Sequence, residues 1–91
     1  MKISRSATFK RNYKRLKKKH YDMTKLEDVL RLILLDDQET LKRKYRLHFL
    51  KGNRKGKLEL HIEKDWLLVY QIIGDRIELL LLATGGHDDV L

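Results

Sequence analysis

The sequence contains no cysteine and no proline, only two serines, and only 8% aromatic residues. Without cysteine, neither disulfides nor thiolate metal sites are available. A chain of 91 residues is therefore expected to form one domain, residues 1–91, held by a single modest core. Such a core must rely on close packing, or on a partner that stabilises the folded state by mass action. Long apolar runs are missing too. The amino terminus, "MKISRSATFKRNYK", lacks the apolar segment of a secretory signal, and nothing approaches the roughly 18 residues of a membrane span. The expectation is a cytoplasmic protein with no membrane partner.

Acidic charge is scarce where basic charge is dense. Residues 1–35 hold eleven Lys or Arg against three acids, a net +8, whereas residues 36–91 hold ten of each sign and sum to zero. Within that second part, residues 42–57 carry eight cations and no acid. The chain thus has two basic zones, one helical in pattern and one loop-like. Fields of this kind attract phosphate backbones or acidic proteins.

What is present reads as an α+β chain. Met1, Ile3 and Arg5 suggest a first strand, and Ser6 or Thr8 offers a helix N-cap. Phe9, Tyr13, Leu16 and His20 then follow on one helical face, with Lys10, Arg11, Lys14, Arg15, Lys17, Lys18 and Lys19 on the others. "TKLE" at 24–27 fits a capping box with Thr24 as N-cap, and Leu26, Val29, Leu30, Ile33 and Leu34 form a wide apolar stripe that Asp36 and Asp37 end. From Lys57 the period changes to two. Leu58, Leu60 and Ile62 alternate with Glu59 and His61; "EKD" then turns into a strand from Trp66 to Ile73. Gly74–Asp75 supplies a tight turn, read as type II′, into a strand from Ile77 to Leu82. The expected order is strand, helix, helix, then three strands in a meander, with the helical hairpin covering one face of an antiparallel sheet. If Leu58, Leu60 and Ile62 face the helices, His61 points to the opposite, open face.

The candidate chemistry lies in the second half. His48, His61 and His87 are too far apart for the short ligand spacing of a zinc site, and no metal is expected. Ser4 and Ser6 have no G-x-S-x-G context, and "GNRKG" at 52–56 is not a phosphate-binding loop of the GK[ST] type. General acid–base work on an RNA phosphodiester suits the inventory better. RNA brings its own nucleophile, the 2′-hydroxyl, so cleavage needs a base, an acid and cations for the extra charge on phosphorus. Histidine performs either proton task near neutral pH, and Lys or Arg stabilises the charge. On pattern alone, each histidine reads as an ordinary surface or turn residue before it reads as a catalytic one.

The combination of His48 with "LKGNRKG", "HIEKDWLLVY" and "TGGH" resembles the C-terminal half of RelE-superfamily toxins, closest to the YafQ branch of toxin–antitoxin systems. The helical hairpin ahead of these pieces fits the same family, so the resemblance covers essentially the whole chain. It implies a RelE-like microbial RNase fold and a ribosome-dependent endoribonuclease that cuts mRNA in the A site without a cofactor. It also implies a cognate antitoxin, acidic in its binding segment, through which alone the toxin meets operator DNA. Carried over by position, His48, His61, Asp65 and His87 form the catalytic cluster. His87 is the principal acid or base, His61 and Asp65 share proton transfer and orientation, and His48 positions the phosphate. Lys51, Arg54, Lys55 and Leu91 bind RNA, and the helical cations Lys10 to Lys19 meet the ribosome. Trp66 is read as a hairpin-anchoring core residue. Two positions depart from the family pattern. Ala83 stands where an arginine often precedes "TG", which implies weakened activity, and Leu91 stands where an aromatic is common. The alternatives are a non-catalytic ParE-like toxin or a basic nucleic-acid-binding module, acting by binding alone.

Overall fold

The structure, a computed structural model, describes residues 2–51, 56–74, 78–86 and 90. It contains β1 (Lys2–Arg5), α1 (Ala7–Lys18), α2 (Met23–Leu34), α3 (Gln38–Tyr45), β2 (His48–Phe49), β3 (Leu58–Glu63), β4 (Trp66–Ile73) and β5 (Glu78–Gly85). The five strands form one sheet in the order β1-β5-β4-β3-β2. The β3-β4-β5 meander is antiparallel as the alternation predicts. The edge pair β1–β5 is parallel, because the chain leaves β1 through the helices and returns to the far side of the sheet.

Each helix begins at a side-chain cap. Ser6 caps α1, accepting from the Phe9 N–H at 2.9 Å while its hydroxyl donates to the Leu82 carbonyl at 2.7 Å. One serine thus starts the helix and ties it to β5. The cap of α2 is Asp22 and not Thr24; its carboxylate accepts from the Thr24 N–H and hydroxyl. The Thr24 hydroxyl first, then the Thr24 N–H, holds the Asp22 carboxyl below its ordinary value. Because α2 begins at Met23, Asp22 stands at the N-cap position and its carboxylate reaches the free Thr24 amide, whereas Thr24 is already inside the helix. His20 falls outside α1, in the left-handed region with φ +65°, and does not extend the apolar face.

The third helix is the main element the sequence pattern does not reveal. Asp37 caps it, accepting from the Thr40 N–H at 3.2 Å and its hydroxyl at 2.8 Å. Leu41 is its one fully buried residue, with Tyr45 half-buried on the same side. So few apolar residues give no readable stripe, and Lys42 to Lys44 belong to this helix and not to a loop. The described part of the second basic zone then runs through β2, and the Leu50 N–H donates to the Lys57 carbonyl at 2.9 Å to close its base. Met1, the "GNRK" segment at 52–55 and the Asp75–Ile77 part of the expected turn lie outside the described residues; Gly74, with φ +53°, supplies the left-handed conformation before it.

The helices cover one face of the sheet. Phe9, Leu16, Leu26, Val29, Ile33 and Leu41 pack against Leu60, Ile62, Trp66, Leu68, Tyr70 and Leu81. The opposite face carries a second, smaller cluster of Leu67, Val69, Ala83 and Val90, with Leu50 and Leu82 against it. Strand β4 is therefore buried on both sides from Trp66 to Tyr70, which explains its unbroken apolar run. A bulge between β4 and β5, where Val69 pairs Ala83 but Tyr70 pairs Leu81, leaves Leu82 unpaired. It lets Leu81 and Thr84 both serve the helical side.

Tyr70 lies at the far end of this core, 2% exposed. Burial, and after it the negative charge of Asp36, pushes its hydroxyl up to about 12. An unfolded tyrosine ionises near about 10. Below that pH both states keep the proton and the contribution is fully present. Above it the unfolded chain releases its proton first, so stability falls as pH rises toward about 12. Urea midpoints measured across this alkaline window are expected to drop more steeply for the parent chain than for Tyr70→Phe. Equal slopes would show that Tyr70 titrates alike in the folded and unfolded states.

Candidate active site

The open face is built where β2, β3 and β4 lie side by side near the β3–β4 turn. Period two puts Glu59 and His61 on one face of β3, and Ile62 and Leu60 on the other. His48 pairs directly with Glu59 across the β2–β3 ladder, and Glu59 continues in register to Val69 and Ala83. His61 pairs with Leu67, which pairs with Gly85. A second bulge, between His61 and Glu63, sits beside the turn. Bulges recur next to active sites because they re-aim side chains without ending the sheet.

Within this frame His48 and His61 meet. Their ring centroids are 6.2 Å apart, with the planes tilted by 36°. The ring of His48 is held on both nitrogens, since Nδ1 is 2.8 Å from the Arg46 carbonyl and Nε2 is 3.3 Å from the Glu59 carboxylate. Both partners only accept, so the doubly protonated ring is the form that donates to both. Arg46 presents its carbonyl from the left-handed region, φ +55°, as the residue that ends α3. Asp65 lies in the exposed β3–β4 turn, and a side chain grown on Gly86 would come within 3.7 Å of the Asp65 carboxylate oxygens. The turn and the segment leading to His87 are thus adjacent.

His87 itself, with Arg54, Lys55 and Leu91, lies outside the described residues. Lys51 is exposed after β2. Lys10, Arg11, Lys14, Arg15, Lys17 and Lys18 are exposed on α1, and Lys19 is its C-cap. They lie on a different element from the histidine pair. Ala83 is buried in the small open-face cluster under Val90, and the face carries no arginine at that position.

The wall behind the site is a buried polar junction. Trp66 donates its indole N–H to the Thr84 hydroxyl at 2.9 Å, which donates to the Leu67 carbonyl at 2.9 Å. The Thr84 N–H donates in turn to the Asn12 side-chain oxygen of α1 at 3.2 Å. Tyr21 stacks edge-on against Trp66, with centroids 5.1 Å apart. Trp66 is thus a core anchor, 2% exposed, as its position in the strand suggests.

Four residues beside the histidines escape a linear reading. Glu59 is one; its i−2 spacing from His61 on a strand was the available signal. Lys44, Arg46 and Lys64 are the others, lining an open groove of about 620 Å³ together with His61, Ile62 and Glu63. The basic run 42–57 includes Lys44 and Arg46 but does not set them apart or join them to Lys64, because the two segments meet only in the fold.

A model of the family described as "Bacterial toxin of type II toxin-antitoxin system, YafQ" matches residues 1–91. The chain belongs to the YafQ toxin family. It is 34% identical over 85 residues to the mRNA interferase toxin YafQ of Escherichia coli (strain K12), covering 93% of this chain and 89% of that protein. The YafQ fold in the crystal structure of the E. coli DinJ–YafQ complex superposes with a TM-score of 0.82 at 32% identity, covering 98% of this chain and 96% of that one. A metal-bound toxin from Helicobacter pylori superposes with a TM-score of 0.86 at 34% identity, covering 100% and 99%. Among the described residues of the present YafQ-family chain, no group of three or more His, Cys, Asp or Glu is arranged to hold a metal ion.

The polar junction is open to a direct test. Thr84→Val leaves the buried Trp66 N–H without an acceptor and is expected to cost about 1–3 kcal/mol. Adding Trp66→Phe removes the orphaned donor, so the double variant should lose less than the sum of the single ones. Additive losses in urea unfolding would mean that the hydroxyl and the indole act independently.

Proposed function

We propose that this chain is the toxin of a type II toxin–antitoxin pair and acts as a ribosome-dependent endoribonuclease on mRNA. The observation that carries this reading is the His48–His61 pair on one sheet face, in a chain 34% identical to an mRNA interferase toxin. A cluster of imidazoles next to cations is what metal-independent cleavage of RNA requires. The 2′-oxygen attacks phosphorus as a base takes its proton, and the bond to the 5′-oxygen breaks as an acid protonates it. A cyclic phosphate and a free 5′-hydroxyl result. His87 serves as the principal acid or base, while His61 and Asp65 share proton transfer and orientation. His48, its ring held in place by Glu59 and the Arg46 carbonyl, helps to position the phosphate. Lys51, Arg54, Lys55 and Leu91 contact the RNA, and the cations of α1 contact the ribosome.

The partner is a cognate antitoxin, acidic in the segment that binds here. The net charge of +8 supports this, as does the complex formed by the E. coli relative with DinJ. The setting is the cytoplasm, where mRNA is translated; no described helix is long and apolar enough to cross a membrane.

Cleavage in a purified translation reaction, mapped by primer extension, tests the reading. Cuts at A-site codons are expected from the parent chain, with His61→Ala or His87→Ala lowering the rate by roughly 10²–10⁴-fold. Inhibition of translation without any cut would instead identify a toxin that acts by binding.

The same assay measures the cost of Ala83. Ala83→Arg restores a cation on the face of the histidines and is expected to raise the single-turnover rate roughly tenfold or more. Because Ala83 is 7% exposed, the change should also destabilise the fold by about 1–3 kcal/mol. An unchanged rate in a folded variant would mean that other cations already supply this charge.

A further inference from the structure

We propose that the groove between the end of α3 and the β3–β4 turn binds the sugar–phosphate backbone of the RNA strand beside the point of cleavage. The inference rests on the ribonuclease reading above and extends it to residues with no assigned role. Lys44 comes from the last turn of α3, Arg46 closes that helix, and Lys64 stands in the β3–β4 turn. Twenty residues separate the first from the last, yet all three line one groove of about 620 Å³. That size falls within the roughly 300–1,000 Å³ of ligand clefts.

The charge of this groove is not neutralised among the described residues. Glu63 is the one acid of the lining, and it already pairs with Lys25 of α2. Lys44, Arg46 and Lys64 form no ion pair among the described residues. Three exposed cations, none paired with a carboxylate among the described residues and one of them, Lys44, lying over the Tyr45 ring, are held at one place, at a cost in mutual repulsion that a bound polyanion would offset.

The groove is also continuous with the histidine pair. His61 forms part of its wall, and its ring lies 6.2 Å from that of His48. Arg46 joins the two regions directly, since its carbonyl holds the His48 ring and the same residue lines the groove. A strand whose reacting phosphate sits at the histidines would lay its neighbouring phosphates along these cations. Contacts of this kind position the strand and carry no sequence information.

An acidic protein segment is the rival occupant, and the lining argues against it. A segment that orders on binding needs apolar anchors to offset the lost entropy. The only aliphatic residue of this lining is Ile62, itself 7% exposed. A separate groove between α1 and α2 has such anchors in the half-buried Tyr13 and Leu30, over the buried Phe9 and Leu26.

The test is the salt dependence of binding, by fluorescence anisotropy, of a labelled single-stranded RNA of about ten nucleotides to the full chain. The triple variant K44Q/R46Q/K64Q is compared with K2Q/R31Q/K42Q, which removes equal charge elsewhere. Three lost phosphate contacts should reduce the slope of log K against log salt by about 2. The control should lose clearly less, and K44R/R46K/K64R, which keeps the charge, should retain the parent slope. An unchanged slope in the groove variant, an equal loss in the control, or no salt-dependent RNA binding by the parent chain would each overturn the proposal. So would a groove variant that binds RNA normally but no longer binds an acidic peptide. Parent-like cleavage with parent-like slopes would sink the groove and leave the nuclease. A groove-dependent slope without any cleavage would leave an RNA-binding groove and sink the nuclease.

Discussion

The Thr84 hydroxyl is the point on which the rest of the structure depends. It accepts from the Trp66 indole and donates to the Leu67 carbonyl, while the backbone N–H of the same residue donates to Asn12. Strands β4 and β5 and helix α1 are thereby fixed to one another inside the buried core, where each group would be costly to leave unpaired. Directed bonds set register, which apolar packing alone leaves loose. The β5 bulge is set beside this junction, with the Ser6 hydroxyl donating to the carbonyl of its unpaired residue, Leu82. The first turn of α1 and the register of β5 are consequently determined together.

That junction forms the floor under the candidate site. Two side chains beyond it, the sheet passes from a doubly buried central strand to a thin edge of only two residues in β2. Exposure rises across the same distance, from Leu67 at 1% through half-buried His61 to exposed His48. A rigid centre with a solvated edge suits a site that must hold imidazoles in place yet admit a long polyanion. Preorganisation is supplied by the strands, the Glu59–His48 pair and the left-handed Arg46.

Charge is divided by location as well. The basic helix α1 and the cations around the histidines belong to different elements, so the molecule presents two basic surfaces. The apolar groove between α1 and α2 and the polar groove by His61 differ in the same way. Each offers the chemistry that suits one class of partner.

The sequence by itself determined the parity of β3, the run of β4, the α2 stripe and the family, since these rest on neighbours two, three or four residues apart. Period two alone placed His61 opposite Leu60 and Ile62, and the family motifs singled out His48, Asp65 and His87. Helix α3 was hidden because a single buried leucine makes no period. The α2 cap was misplaced because Asp22 and Thr24 are both competent and only geometry chooses between them. Tertiary structure alone decided that β1 lies parallel to β5, that Glu59 faces His48, and that Lys44, Arg46 and Lys64 share a groove with His61. Those relations join residues far apart in the chain, and they exist only once the sheet has brought its strands to hydrogen-bonding distance.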